Sequence, residues 1–389
     1  MASKQADCVA LFPDRIAHYR VAVFEALAHM LEQDRLALVV HTGREPSDRS
    51  IPSLTGAVQS EGPAFRVVPG FEFSMRGIVF WQSGMLRTIL DPHTRLVVAW
   101  GEAHRLSTWL GLLASRLTGT PLLLWGHGLY GREGAFKRTL RLLFYRCADH
   151  LMLYGDHGRR ELLARGLPDA HMTVVNNGLD ASAIATARER ATRTTPLPER
   201  EDWRLLYVGR LISDKRVELL IRAAAELRAR GRHGLRVRIV GDGPERPTLE
   251  AEVRRLDLAD VVEFAGAVYD EEPLAEEFRA ASVSISPGNV GLLAVHALAY
   301  GCPVITHADP AWQMPEAEAV VEGETGALFE RGSPASLADA IERCLDGMDR
   351  VRMAERCIER FEADYTHREV AARVHGALAA FLTRGARAA

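Results

Sequence analysis

The chain alternates short, continuously apolar runs with longer amphipathic segments. Runs such as Cys8–Phe12 (CVALF), Leu96–Trp100 (LVVAW) and Pro121–Trp125 (PLLLW) lack the apolar–polar alternation of a half-exposed strand. Unbroken apolar strands are typical of parallel sheets, because helices cover both faces of such a sheet. The pattern therefore predicts an α/β protein with doubly wound sheets, whose ligands bind beyond the carboxyl ends of the strands.

The strand–helix pattern occurs twice, on either side of a charged stretch that contains prolines. We predict a first domain over residues 1–190, a linker over 191–203 and a second domain over 204–365. Residues 366–389 form an amphipathic tail, which we expect to be a helix that packs back on the first domain.

Charge and cysteine content exclude several classes of protein. The 48 basic and 51 acidic residues give a net charge of -3, which argues against a dedicated nucleic-acid binder. The five cysteines form no C-x-x-C pair, so we expect buried thiols in a reducing compartment. Because no 18 apolar residues run together, we predict a cytoplasmic protein without a spanning helix, with the inner face of the cell membrane as a further place of contact.

A candidate diphosphate site follows the first strand of the second series. That strand ends at Gly209, and Arg210 and Lys215 lie in the loop before the next helix. A helix N-terminus carries free N–H groups and a partial positive charge, to which two basic side chains add full charges. The alternative interpretation is a solvated, charged turn.

Two further glycines, Gly241 and Gly243, lie in the next strand–helix loop. Glycine lets a ligand approach the backbone closely, so both residues are candidates for donor binding. A plain Asp-Gly turn is the alternative interpretation.

Several motifs together resemble a known family. The stretches YVGRLISDKRVELLIRAA, VRIVGDGPER, VVEFAGAV and GLLAVHALAYGCPVIT follow one another over roughly residues 203–345. In this order they resemble the retaining glycosyltransferases of family 4 type. In the first half, FPDRIAHYRVAVFEAL, LLLWGHGLYGREG and VVNNGLD are similar to a bacterial branch of that family. The resemblance implies the GT-B fold, with two Rossmann-like domains facing a central cleft.

The resemblance also assigns donor-binding residues. The diphosphate residues of the family fall on Arg210 and Lys215, and its sugar-contacting histidine falls on His127 in a Gly-His-Gly loop. The Glu-x7-Glu pair of the family falls on Gly288 and His296, so neither carboxylate is present. His296 can still hydrogen-bond a ribose hydroxyl.

Other groups must then replace the missing carboxylates. We expect the loop that begins at Gly288 to offer its backbone to the donor, through Gly288, Asn289, Val290 and Gly291. In the loop after a later strand, Gln313 and Glu316 are candidate contacts of the donor sugar. A surface turn with a helix-capping glutamate is the alternative for these two residues.

Candidate acceptor residues lie in the first half. Arg15, His18, Tyr19 and Arg20 lie between the first strand and the first helix, and Glu102 follows the strand that ends at Trp100. Arginines at a helix start are unfavourable to the helix dipole, so they favour an anionic ligand or a carboxylate partner. Donor phosphates, ordinary surface charge and a helix cap are the alternatives.

The resemblance implies a retaining hexosyltransferase, and the basic diphosphate site predicts that it works without a metal ion or a resident cofactor. A nucleoside-diphosphate sugar is the expected co-substrate, and the acceptor is a carbohydrate, a lipid-linked compound or a small metabolite. The basic, amphipathic stretch Gly131–Arg146 is suited to peripheral contact with anionic lipid, although a helix with one core face and one solvated face is the usual explanation of such a stretch. A sugar-nucleotide 2-epimerase and a non-catalytic binding partner of another transferase remain as alternative functions.

Overall fold

The computed structural model describes residues 6–43, 65–75, 79–197, 203–346 and 349–385. The chain divides into two compact units. Unit 1 comprises Met1–Leu179 and His367–Ala389, and unit 2 comprises Asp180–Thr366.

Unit 1 is built on a seven-stranded sheet in the order β3-β2-β1-β6-β7-β8-β9, in which every neighbouring pair is parallel. Its strands are β1 (Cys8–Phe12), β2 (Ala37–Thr42), β3 (Arg66–Pro69), β6 (Thr94–Trp100), β7 (Leu122–Gly126), β8 (His150–Leu153) and β9 (Met172–Val174), and β4 (Glu72–Met75) with β5 (Val79–Gln82) forms an antiparallel hairpin. The strand order reverses between β1 and β6, so ligands are expected beyond the carboxyl ends of these two strands.

Helices cover both faces of this sheet, which explains its continuously apolar strands. They are α1 (Val21–Gln33), α2 (Met85–Ile89), α3 (Leu106–Thr118), α4 (Ala135–Arg146), α5 (Asp156–Leu163) and α13 (His367–Gly385). On one face, Leu27 and Leu31 of α1 share a buried core with Val374 and Leu378 of α13. On the other face, Phe144 of α4 belongs to a second core with residues of α2 and α3.

Unit 2 repeats the architecture with a six-stranded parallel sheet in the order β12-β11-β10-β13-β14-β15. The strands are β10 (Trp203–Val208), β11 (Leu235–Val240), β12 (Val262–Gly266), β13 (Val283–Ser286), β14 (Val304–His307) and β15 (Gly326–Phe329). The helices are α6 (Ala181–Thr194), α7 (Glu218–Ala229), α8 (Arg246–Arg255), α9 (Glu271–Ala280), α10 (Leu292–Ala299), α11 (Pro334–Asp346) and α12 (Arg350–Asp364). Here the order reverses between β10 and β13.

The boundary between the units differs from the predicted linker over 191–203. The chain passes from one unit to the other at Leu179 and Asp180, and residues 181–194 form α6. The Asp180 side chain caps α6, and the buried residues Ile184, Ala187 and Ala191 lie on one face of it, which packs against α9. In the sequence, charged and polar residues separate these three buried residues, which is why the segment that forms α6 resembles a linker. Residues 198–202 of the predicted linker lie outside the described part of the chain.

The tail returns to unit 1, where α13 packs against α1. Within the ranges that the structure describes, no helix combines the length and the apolar character needed to cross a bilayer.

Candidate active site

Unit 2 contains a cavity of about 210 Å³ where its strand order reverses. The end of β10 contributes Tyr207, Val208 and Gly209, and β13 contributes Ser286. The remaining lining includes the predicted residues Lys215, Gly291 and His296, together with Leu292 and Leu293 at the start of α10. The structure therefore brings four predicted donor-site residues together at the edge of the sheet where α/β proteins bind ligands.

Lys215 is held by the loop that follows β13. Its Nζ atom donates hydrogen bonds to the carbonyl oxygen of Asn289 at 2.7 Å and to its side-chain Oδ1 at 2.8 Å. An ammonium group has three protons, so one remains for a ligand. Burial and the charge of Arg210 lower the pKa of Lys215, whereas the carboxylate of Glu316 opposes that change. The arrangement fixes a buried positive charge at the cavity wall.

The helix N-terminus at this cavity belongs to α10, which corrects the prediction for the helix after Lys215. Ser213–Lys215 form a 3-10 turn, Arg216 adopts a positive φ of 50°, and α7 begins only at Glu218. By contrast, the N-cap of α10 is Gly291, which has no side chain with which to cap that N-terminus. The free N–H groups at the start of α10 can therefore receive an anionic ligand.

Arg210 has a place different from that of Lys215. It is exposed and does not line the cavity, although its charge contributes to the lowered pKa of Lys215. A direct contact of Arg210 with a donor diphosphate stays a prediction.

The paired glycines are explained by the close approach of two loops. A Cβ atom at Gly241 would lie 1.9 Å from the carbonyl oxygen of Gly209, and one at Gly243 would lie 2.4 Å from that of Leu211. Both glycines have a φ of 155°, which is unfavourable for other residues. Gly241 and Gly243 do not line the cavity, so packing of the protein backbone is sufficient reason for them.

The loop Gly288–Gly291 also differs from its prediction. The Gly288 N–H donates to the carbonyl oxygen of Lys215 at 3.0 Å, and the Val290 N–H donates to Oε1 of Gln313 at 2.8 Å. Both amides are therefore occupied within the protein. Asn289 holds Lys215 through its carbonyl oxygen and its Oδ1 atom, and a contact of Asn289 with the donor stays a prediction.

Gln313 positions this loop instead of facing a sugar. Its side chain is buried, and Nε2 donates to Oγ1 of Thr306 at 2.8 Å and to the carbonyl oxygen of His307 at 2.9 Å. With Oε1 bonded to Val290, each end of the amide is bonded within the protein. Glu316 is buried in the next 3-10 turn, near enough for its charge to act on Lys215.

His296 of α10 lies beside a carboxylate from a different helix. Its Nε2 atom lies 3.5 Å from Oε1 of Glu271, the first residue of α9, and the Tyr300 hydroxyl donates to the same carboxylate. Glu271 therefore brings a negative charge to the corner where the family resemblance expects one from α10.

Unit 1 contains a second pocket, of about 270 Å³, at the carboxyl ends of β1, β6, β7 and β8. Five predicted residues line it, although they lie far apart in the sequence: Arg15, Tyr19, Arg20, Glu102 and His127. His18 is exposed and does not line this pocket; its ring contacts that of Tyr19.

Glu102 is a permanently charged group rather than a free base. Burial raises the pKa of its carboxyl, but the hydrogen bond with His104 and the charge of Arg105 outweigh burial and lower the pKa to about 2. Arg105 Nε donates to Oε2 of Glu102 at 2.7 Å. The carboxylate therefore stays ionised at any physiological pH.

His127 occupies a loop that only glycines can form. A Cβ atom at Gly158 would lie 2.3 Å from the carbonyl oxygen of His127, and Gly128 has a φ of 72°. The imidazole packs 4.8 Å from the ring of Tyr154, measured between centroids. Burial and the charge of Arg20 lower the pKa of His127 to about 4, so its ring is neutral near pH 7.

Three aromatic residues of this pocket were missed by the sequence analysis. Trp100 ends β6, Trp125 lies in β7 and Tyr154 directly follows β8. The available signal was the repetition of an aromatic residue at the end of three apolar runs, LVVAW, PLLLW and HLMLY. Since the carboxyl ends of parallel strands meet at one edge, that repetition indicates an aromatic wall.

The packing of Gly288 predicts that this position cannot accommodate a side chain, including the glutamate that the family resemblance expects there. A Cβ atom there would lie 2.1 Å from the carbonyl oxygen of Asp214 and 2.7 Å from the carbonyl carbon of Lys215. Gly288→Ala and Gly288→Glu should each destabilise the protein by about 2 kcal/mol or more, because this backbone contact must open. Urea unfolding measures the loss. Gly291→Ala is the matched control, since nothing lies within 4 Å of its Cβ position. An equal loss of stability in Gly288→Ala and Gly291→Ala would contradict the explanation.

The lowered pKa of His127 predicts a pH-dependent stability. An unfolded histidine titrates near 6.5, so the unfolded state binds more protons than the folded state between about pH 6.5 and pH 4. Stability is therefore lost as the pH falls through this range, and His127 alone accounts for about 2 kcal/mol between pH 7 and pH 5. Histidine NMR, with the resonance assigned through His127→Gln, should give a midpoint near 4. A midpoint at 6.5 or above would show that the imidazole is not buried as described.

The pairing of His296 with Glu271 predicts a coupled effect of two substitutions. His296→Glu should destabilise the protein by about 1 to 2 kcal/mol more than His296→Gln at pH 7, because two carboxylates would then be neighbours. Glu271→Gln combined with His296→Glu should recover most of this difference. Thermal unfolding of these three variants and of Glu271→Gln alone measures the coupling, and purely additive effects would refute it.

Two family models match the chain. Residues 21–183 match Glycosyltransferase Family 4, and residues 202–347 match Glycosyl transferases group 1. Among curated proteins, D-inositol 3-phosphate glycosyltransferase 2 of Catenulispora acidiphila is 33% identical over 292 residues, which are 69% of this chain and 67% of that protein. The D-inositol 3-phosphate glycosyltransferase of Kineococcus radiotolerans is 36% identical over 216 residues, 51% of this chain and 49% of that protein. The chain thus spans about half to two thirds of these relatives.

Solved structures match almost the whole chain. Anabaena Alr3699/HepE in complex with UDP has a TM-score of 0.68 at 16% identity and covers 96% of this chain and 100% of its own. The same protein in complex with UDP-glucose has a TM-score of 0.65 at 16% identity, with coverages of 97% and 100%. With the matched family models and the two parallel α/β units, these similarities show that the chain belongs to the family 4 and group 1 glycosyltransferases and has the GT-B fold.

Proposed function

We propose that this protein transfers a hexose-type sugar from a nucleoside-diphosphate sugar to an acceptor hydroxyl, with retention of the anomeric configuration. The observation that carries the proposal is the unit 2 cavity, where Lys215 and the uncapped N-terminus of α10 line one wall together with His296. A buried ammonium and free helix N–H groups are the chemistry that binds a diphosphate.

The similar proteins support this donor class. HepE was solved with UDP and with UDP-glucose, and its fold covers nearly all of this chain. Two of the curated relatives are named as D-inositol 3-phosphate glycosyltransferases. Bacterial polysaccharide, lipopolysaccharide or glycosylated-metabolite synthesis is the context that we propose.

The chemistry follows from the charge that develops on the leaving group. As the glycosidic bond breaks through an oxocarbenium-like state, negative charge grows on the departing diphosphate. Lys215 and the α10 N-terminus stabilise that charge, and their contribution is larger in the transition state than in the ground state. The acceptor attacks from the same face of the sugar, and its proton passes to the leaving phosphate.

Reaction without a metal ion is part of the proposal. The ammonium of Lys215 supplies positive charge that a metal ion supplies in other transferases.

We assign the acceptor to the unit 1 pocket and a donor-sugar contact to His127. A neutral imidazole can donate one hydrogen bond and accept another, which suits a sugar hydroxyl. The lowered pKa of His127 supports this assignment, because the ring stays neutral at the pH of the cytoplasm.

Peripheral contact with anionic lipid remains a further part of the proposal. On α4, Phe136 is 81% exposed and Leu143 is 52% exposed, and on the neighbouring α3, Leu117 is 81% exposed. Lys137 adds positive charge beside them. Arg141 of the same stretch lines the unit 1 pocket instead, where its Nη1 atom donates to Glu133 at 2.8 Å.

The test combines nucleotide binding with donor turnover in the presence of EDTA. One nucleoside diphosphate among UDP, GDP, ADP and TDP should stabilise the protein, by about 2.7 kcal/mol at 100 times its Kd. Lys215→Gln should weaken this binding by roughly tenfold to a hundredfold, because a charged hydrogen bond to the phosphate is lost. The matched control is Lys137→Gln, which removes an exposed lysine of unit 1.

Turnover is then followed by proton NMR. The substrate is the nucleoside-diphosphate glucose that carries the same base as the nucleotide that binds. A retaining transferase should release sugar slowly to water in its initial configuration, and EDTA should leave the rate unchanged. Binding without turnover would overturn the enzymatic proposal in favour of a binding partner, and an epimerised nucleotide sugar would indicate an epimerase. Inverted product would refute retention.

A further inference from the structure

The unit 1 pocket contains a buried arginine without an acidic partner. Arg20 is 9% exposed, its Nη2 atom donates to the neutral hydroxyl of Tyr154 at 2.7 Å, and the hydroxyl of Tyr19 is a second hydrogen-bond partner. Among the described residues no carboxylate lies within ion-pair distance of it. Arg20 directly precedes α1, so the partial positive charge of the helix N-terminus adds to its own. A buried charge normally has a partner of opposite sign.

Aromatic rings hold this guanidinium from several sides. Its carbon lies 5.0 Å from the centroid of the Trp100 ring, 5.2 Å from that of Tyr154 and 5.6 Å from those of Trp125 and Tyr19. Cation–π contacts stabilise the charge, but ring faces leave the in-plane N–H donors largely unused. A guanidinium has five such donors. The rings therefore fix Arg20 while leaving donors for a ligand.

A second group of the same pocket also lacks an acceptor. The indole Nε1 of Trp125 is buried and has no hydrogen-bond partner within the described structure. Indole nitrogen can only donate. Trp125 and Arg20 both line the pocket, so two independent groups offer donors without matching acceptors.

The other charged groups around this pocket are already paired. The pairs are Asp14 with Arg15 at 3.8 Å, Glu102 with Arg105 at 2.7 Å and with His104 at 3.4 Å, and Arg141 with Glu133 at 2.8 Å. Arg20 is thus the lining cation that no described carboxylate balances. An excess of donors and of positive charge selects an oxyanion.

We infer that Arg20 binds a negatively charged oxygen group of the acceptor, a phosphate or a carboxylate. This inference rests on the proposed function, because it places the acceptor in unit 1. A planar guanidinium can grip two oxygens of either anion at once. The acceptor hydroxyl is then positioned through its anionic group, and neutral sugars lacking that group are poor acceptors.

The test observes the pocket directly by NMR of the indole N–H groups. The chain has six tryptophans, and Trp125→Phe identifies the Trp125 resonance. Inorganic phosphate is titrated at constant ionic strength against sodium chloride, and acetate is titrated separately as the carboxylate probe. Phosphate or acetate should shift the Trp125 resonance saturably. Arg20→Gln should weaken that response by about tenfold or more, because a charged donor is lost.

Arg159→Gln is the matched control, since it removes an arginine of unit 1 that pairs with Asp169 on the surface. It should respond as the wild type does. If Arg20→Gln fails to fold, Arg20→Lys keeps the charge without the planar fork and should still bind phosphate more weakly than wild type. Absence of a saturable shift, or an unchanged response in the Arg20 variant, would overturn the inference.

Saturating nucleoside diphosphate distinguishes the two sources of the anion. If the phosphate response of Trp125 persists with the nucleotide bound, the anion belongs to the acceptor. If the nucleotide abolishes it by competition, the pocket binds donor phosphate and the inference is wrong. Donor hydrolysis in the same samples tests the proposed function separately, because turnover without a phosphate response would refute only the anionic acceptor.

Discussion

Parallel strand pairing is the constraint on which the rest of this structure depends. Every strand of the two main sheets runs in the same direction as its neighbours, so the loops after the strands gather at one edge of each sheet. In unit 1 this gathers residues as distant in sequence as Arg15 and Tyr154 around one pocket. In unit 2 it brings Gly209 beside His296. The candidate ligand-binding residues of each unit therefore lie at or just beyond the carboxyl ends of its strands.

That constraint also decides how far the sequence could be interpreted. The strands were predictable because apolar runs mark buried strands. The position of the candidate sites was predictable because parallel pairing places the carboxyl ends of the strands at one edge of the sheet. The interaction partners of individual side chains were not predictable, because they depend on packing between segments far apart in the chain. Gln313 looks like a sugar contact from its loop position, yet the loop folds its amide onto Val290. The positive φ of Arg216, which delays α7, has no sequence signal either.

The departure from the Glu-x7-Glu pattern is best understood as a coupled replacement. Without a side chain, Gly288 can lie against the Asp214–Lys215 backbone, and its N–H binds the carbonyl oxygen of Lys215. The next residue, Asn289, then holds the ammonium of Lys215 with two acceptors. Eight positions along, histidine replaces the second carboxylate, and Glu271 supplies a carboxylate from α9. The two positions at which the family resemblance expects glutamates thus take part in other interactions within the structure.

The two pockets differ in how they balance positive charge, and this difference suggests a division of labour. The Lys215 ammonium has acceptors from Asn289 and a nearby carboxylate in Glu316, so the cavity tolerates both presence and absence of a diphosphate. This balance of charge suits a site that binds the donor and then releases the nucleotide product. Arg20 has only aromatic rings and the hydroxyls of Tyr154 and Tyr19, so we infer that an anionic ligand completes the balance of its charge. In the proposed reaction, unit 1 selects the acceptor and unit 2 stabilises the diphosphate that leaves the donor.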